Sequence, residues 1–231
     1  MGGLLMNQTI KDYGDFFKVV AKKQTYLNIL YLLLSFPLGI AYFVFLVTGL
    51  SLGAGLLVLL VGAFIWLGVL LASKQLMIFE RKLATLLLDT SFDEAPDRYN
   101  NEGNLRRLQL EVGDLDNWKA LIYLFSKFVI GIFNFVVSVT LISVSIGLIF
   151  APMLALFFSN MSGYDISLYY NGWGEFLGLN WTLYEEIVID ALIGIVIGLL
   201  SLHLMNVMAY IQSKYLQIMS AKSINELKIG N

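Results

Sequence analysis

The sequence predicts an all-α integral membrane protein: four transmembrane helices in two parallel-repeat hairpins, with amphipathic cytoplasmic helical extensions. Three observations predict it. First, hydrophobic residues make up 58% of the 231, and they run in uncharged blocks at Leu27–Val47, Leu50–Ala72, Phe128–Phe158 and, His203 apart, Ala191–Tyr210. Second, all 15 Lys and Arg lie at or before Lys127 or at or after Lys214. Third, the phrase Phe-x-x-Gly-Ile-x-x-Phe-Val occurs twice, at Phe36 and at Phe128, 92 residues apart.

A bilayer core about 30 Å thick takes roughly 20 apolar residues as helix, which each block supplies or exceeds. Residues 1–26 form an N-terminal cytoplasmic or interfacial segment. There Ile10, Tyr13, Phe16, Phe17 and Val20 make an apolar stripe beside Lys11, Lys18, Lys22 and Lys23. The segment is polar and has no small-residue cleavage pattern, which argues against a cleaved signal peptide.

Residues 27–90 make the first membrane hairpin with its amphipathic extension. Pro37 falls inside the first block, as transmembrane helices tolerate. Thr48-Gly49, helped by Gly53 and Gly55, is predicted to reverse the chain, with the second helix running from Leu50 to near Ala72. Beyond Lys74, Leu76, Phe79, Leu83 and Leu86 or Leu87 recur at helical spacing. Glu80, Arg81 and Lys82 fall between them, so an amphipathic continuation is expected. Residues 91–118, with Pro96, Gly103 and Gly113, read as a cytoplasmic connector carrying a short helix near Leu105–Val112.

Residues 119–215 form the second membrane unit, with an outer loop at 159–186, and residues 216–231 a cytoplasmic tail. Leu121–Phe158 is long enough for one extended helix or two short ones. Basic residues favour the cytoplasmic side, and the loop before Ile187 is acidic with no base. A single crossing places every basic residue inside. The expectation is therefore four spans, both termini cytoplasmic, in the cell membrane, with a re-entrant tip at Ala151–Phe158 as the runner-up. In this topology both copies of the repeated phrase begin a helix that leaves the cytoplasm. Tyr31 aligns with Tyr123, Gly39 with Gly131, Phe43 with Phe135 and Thr48 with Thr140. Gly39 and Gly131 would let another helix approach closely, closed over by the flanking phenylalanines.

The formal net charge is -2, and no nucleic-acid motif is present, so no nucleic-acid partner is expected. With no cysteine, thiol chemistry and disulfides are excluded. No HExxH, GxSxG or Walker pattern occurs, and no metal or cofactor is expected. Inside the spans the polar candidates are Asn134, His203 and Asn206, with Asp190 near the outer end of the last helix. Asn134 and His203 fall within about 6 Å of the same depth, so they could meet. Outside, Tyr164, Tyr169, Tyr170, Trp173, Trp181, Glu185 and Glu186 form an aromatic and acidic cap, suited either to the headgroup belt or to a ligand. Gly194 and Gly198 offer a close-packing groove, and Ser143 with Gly147 a similar pair.

The Tyr31–Phe43 run with Phe36-Pro37-Leu38-Gly39, the Thr48–Gly53 stretch TGLSLG, and Phe79-Glu80-Arg81 resemble the prokaryotic "putative sensor" membrane domain, as does the second unit from Trp118 with Phe128 and Gly131. The resemblance covers about residues 25 to 215 and implies a stand-alone member, since the chain ends at Asn231 without kinase domains. It implies no catalytic residue. The expected function is a non-enzymatic sensor or accessory signalling subunit that responds to a lipid, a small molecule or an outer partner. Its expected associates are membrane lipid, a lipid or small-molecule ligand, a cytoplasmic signalling partner and a second copy of the chain. A transporter or channel subunit is the alternative class, and a small membrane enzyme the third.

Overall fold

The computed structural model describes residues 18–92, 115–162, 174 and 177–221. The stripe from Ile10 to Phe17, the connector helix near Leu105–Val112, and Tyr164, Tyr169, Tyr170 and Trp173 lie outside them. Four long helices dominate: α1 (Lys23–Gly55), α2 (Val61–Leu88), α3 (Leu115–Ser162) and α4 (Leu183–Ser220). Each is long and apolar enough to cross a membrane, and the chain is a multi-pass membrane protein. At 1.5 Å per residue, the 33 residues of α1 reach about 50 Å, beyond the roughly 30 Å of hydrocarbon. The whole of Leu121–Phe158 lies within the single helix α3, Pro152 included, so no re-entrant tip forms.

The first hairpin turns later than its glycines suggest. Thr48 and Gly49 are helical, and α1 continues to Gly55. The reversal runs through a short 3-10 turn, Leu57–Leu59, and ends at Leu60, whose φ of 57° is left-handed. Gly49 and Gly53 serve packing instead: a methyl on either would meet the Val69 or Trp66 side chain of α2. Trp66 Nε1 donates to the Leu50 carbonyl at 3.0 Å, tying the two helices just before the turn.

The buried faces of the helices repeat. In α1 the buried residues are Thr25, Tyr31, Leu32, Ser35, Gly39, Tyr42, Leu46 and Gly53, a stripe that from Leu32 onward advances in steps of three, four and seven. Adding 92 to each number gives Asn117, Tyr123, Leu124, Lys127, Gly131, Asn134, Ser138 and Ser145 of α3, and all of these are buried too. A second offset, 132, relates α2 to α4. It carries buried Gly62, Val69, Ser73, Met77, Glu80 and Ala84 onto buried Gly194, Ser201, Met205, Ala209, Gln212 and Leu216. Leu70 is the exception, its counterpart Leu202 being half-buried. Large apolar side chains such as Phe64, Val129, Phe133 and Val196 point outward, as lipid-facing residues would.

Two compact units divide the chain. One comprises Lys23–Val136 and Met205–Asn231, and its core gathers Tyr31, Tyr42, Leu46, Val69, Met77, Ala84, Tyr123, Leu124 and Leu216. Within it, Gln24 Nε2 donates to the Leu87 carbonyl at 2.7 Å, Thr90 and Ser213 share a hydroxyl bond of 2.7 Å, and Lys119 Nζ donates to the Ala221 carbonyl at 2.9 Å. The other unit comprises Met1–Lys22 and Val137–Leu204. There Ser145 Oγ donates to the Gly194 carbonyl at 2.9 Å, and α3 and α4 pack at Gly194 and Gly198.

Candidate functional site

The expected polar face of the α2 extension is rotated from its predicted position. Glu80, read from the sequence as one of the charges between apolar residues, is fully buried, whereas Phe79 and Leu86 are exposed. The reason is a partner on another helix. Lys127 Nζ of α3 lies 2.9 Å from Glu80 Oε2, with side chains 1% and 0% exposed. A lone buried charge is costly enough that it must be paired or neutralised, and this pair is also well hydrogen-bonded. Tyr31 and Tyr123 direct their hydroxyls to Glu80 Oε2 at 3.3 and 3.4 Å, and Tyr42 donates to Oε1 at 3.0 Å. Lys127 also donates to the Tyr31 hydroxyl at 3.0 Å and sits 4.6 Å from that ring's centroid. Three helices are thereby knotted around one carboxylate.

This knot has a counterpart. The offset of 92 carries Ser35 to Lys127 and Tyr42 to Asn134, and the offset of 132 carries Glu80 to Gln212. Asn134 Nδ2 donates to Gln212 Oε1 at 2.6 Å, and Gln212 Nε2 donates to Ser35 Oγ at 3.0 Å. Ser35 has one proton, which its 3.0 Å approach to the Tyr31 carbonyl can use, so a donor chain runs from Gln212 through Ser35 to the backbone of α1. Corresponding positions thus hold a charged clasp of Glu80, Lys127 and Tyr42 and a neutral clasp of Gln212, Ser35 and Asn134.

Between the clasps, α1 and α3 meet through their glycines. A methyl on Gly39 would lie 2.9 Å from the Lys127 carbonyl oxygen and the Phe128 Cα. One on Gly131 would strike the Ser35 carbonyl and lie 3.2 Å from the Phe36 Cα. The contacts are reciprocal, since Ser35 and Phe36 become Lys127 and Phe128 under the offset. The phenylalanines repeat the exchange: Phe36 stacks on Phe135 at 4.6 Å, and Phe43 on Phe128 at 4.3 Å. Both glycines are required for this backbone approach.

The other expected site residues fall as follows. Asn134 Nδ2 donates to Gln212, and Asn206 bonds Asn28 at 2.8 Å and Thr25 at 3.2 Å. His203 is half-buried on α4 and Asp190 is buried. Of the cap, Trp181 is half-buried and Glu185 is exposed. Glu185 belongs to the start of α4, where Thr182 and Glu185 exchange bonds as a capping box: Thr182 N–H to Oε2 at 2.8 Å and Glu185 N–H to the Thr182 hydroxyl at 3.4 Å. Glu186 is buried and accepts the Gly174 N–H at 3.1 Å. Gly194 packs on Leu148 and Ile149, and Gly198 on the Ser145 hydroxyl. Ser143 and Gly147 are exposed instead, and Ser145 takes the packing position.

Sequence reasoning missed Glu80, Lys127, Tyr42 and Gln212. Burial pattern was the available signal: Glu80 follows Ser73 and Met77 at helical spacing, and Gln212 follows Met205 and Ala209. Among the described residues no group of His, Cys, Asp and Glu could hold a metal ion. A family model described as "Putative sensor" matches residues 31–219. Neither the curated proteins nor the solved structures gave a match.

Proposed function

The chain belongs to the "Putative sensor" family, and we propose that it acts as a non-enzymatic receiving subunit whose helix bundle passes a signal from a lipid, small molecule or outer partner to a cytoplasmic protein. The observation that carries this reading is the buried Glu80–Lys127 knot. An ionic pair in an apolar bundle adds little net stability, but separating it leaves uncompensated buried charge, so it favours the arrangement that keeps both partners together. A device that must hold a defined state until a signal arrives needs that property. A transport path would need polar groups lining a continuous route, whereas Glu80 and Lys127 are bonded to each other, and Gln212 to Ser35 of α1, inside the core.

The helices are read as two hairpin repeats of the same orientation, with both termini cytoplasmic in the cell membrane. The hydrogen bonds Gln24–Leu87, Thr90–Ser213 and Lys119–Ala221 support this, because they join the start of α1, the end of α2, the start of α3 and the end of α4. The basic residues gather toward these ends. Membrane lipid surrounds the exposed apolar faces, and the signal leaves through the cytoplasmic helix ends to a signalling partner or a second copy.

Intact-mass measurement of the protein purified in gentle detergent tests the reading. A stoichiometric second polypeptide, or a retained lipid or small molecule, is expected. A protein that carries neither, and that drives ion flux when reconstituted in liposomes, would replace this reading with the transport class.

A further inference from the structure

The two clasps occupy corresponding places but differ in charge. Glu80 and Lys127 fasten α2 to α3 through a buried ion pair to which Tyr42 adds a hydroxyl. Gln212 is held by Ser35 and Asn134 through uncharged bonds only. Leaving a Glu80–Lys127 pair means separating two charges in an apolar core. Leaving Gln212 costs amide and hydroxyl bonds, which neighbouring polar groups in the same bundle can replace. Ser35 keeps its bond to the Tyr31 carbonyl when Gln212 departs, so α1 is not left with an orphaned hydroxyl.

We propose that the Met205–Ser220 segment of α4 is the moving element of the bundle, released by exchange of its uncharged bonds, those of Gln212 together with Asn206 to Asn28 and Thr25, Ser213 to Thr90 and Tyr215 to Ser126, while α2 stays fixed on α3 by the ionic one. The inference rests on the relay reading above only for the use made of the motion. α4 is one continuous helix from Leu183 to Ser220, so a displacement of this segment is delivered directly to the end that bears Ala221. The duplicated frame supplies the internal standard, since residues 209–216 and 77–84 occupy corresponding positions of α4 and α2.

Hydrogen exchange read by mass spectrometry, on the full chain in lipid nanodiscs, tests this without knowledge of ligand or partner. Residues 209–216 should exchange about tenfold faster than residues 77–84, as a lower local opening energy requires. A second preparation, Gln212→Glu with Ser35→Lys, installs the ionic clasp at the neutral position and should slow 209–216 to the level of 77–84. Equal protection of the two segments in the unmodified chain, or slower exchange in 209–216, overturns the proposal even if the transplant variant fails to fold. A relay function disproved by partner analysis would leave the exchange difference standing, and the reverse also holds.

Discussion

Glu80 of α2 and Gln212 of α4 are related by the offset of 132, yet one is an anion bonded to a cation and the other an amide bonded to a hydroxyl. The surroundings are shared: a glycine contact on each side, a stacked phenylalanine pair on each side, and matching buried positions along the helices. What differs is the chemistry placed in the frame. The comparison teaches that packing and polar function were specified separately in this chain. The glycines and phenylalanines fix how α1 and α3 meet, and the residues at 35, 127, 80 and 212 set the polar bonds that hold α2 and α4 to them.

The largest expected effect comes from halving the ionic clasp. Lys127→Met strands the Glu80 carboxylate in the core and should cost about 3–5 kcal/mol in a detergent-unfolding titration. Combining it with Glu80→Leu should recover most of that loss, because a paired charge and a packed apolar pair are close in free energy. A double variant as unstable as the single would break the comparison. Next come the glycines. Gly131→Leu and Gly39→Leu press side chains into opposing backbone and should each cost about 1–3 kcal/mol, whereas Gly147→Leu, which meets nothing within 4 Å, should stay within about 0.5 kcal/mol. Unequal losses at Gly39 and Gly131 would show that the frame is less symmetric than its contacts.

Smaller effects sharpen the picture. Phe36→Leu removes one ring pair and should lower stability by about 0.5–1.5 kcal/mol beyond the lost area, and Phe43→Leu, which removes pairs with both Phe128 and Phe125, by somewhat more. Asn134→Leu breaks the neutral clasp and should cost only about 0.6 kcal/mol, the usual scale of a hydrogen bond between membrane helices. A loss as large as that of Lys127→Met would mean that the neutral clasp is not the weaker one.

Much of the fold was legible in the residues. Uncharged blocks located four membrane helices, and charge placement favoured one crossing for Leu121–Phe158, which is a single helix. Gly39 and Gly131 were legible as close-packing positions because the repeated phrase isolates them. The position of the first turn was not. A glycine between apolar blocks signals either a reversal or a close helix contact, and only the facing Val69 and Trp66 show that Gly49 and Gly53 do the second. Glu80 and Lys127 were hidden for a related reason. Each lies near the end of a hydrophobic block, where a charge ordinarily marks the water interface. Their burial depends on α2 and α3 coming together, a tertiary fact that neither segment records alone. The bond from Asn134 to Gln212 was hidden in the same way, because Gln212 lies beyond the uncharged block of the last helix.

The most direct test of unequal clasps in an equal frame is a pair of double-mutant cycles, one on Glu80 and Lys127 and one on Gln212 and Ser35, read from unfolding free energies in the same detergent. The expected coupling is about 2 kcal/mol or more for the charged pair and about 0.6 kcal/mol for the neutral one. Equal couplings, or a larger one at Gln212 and Ser35, would contradict it.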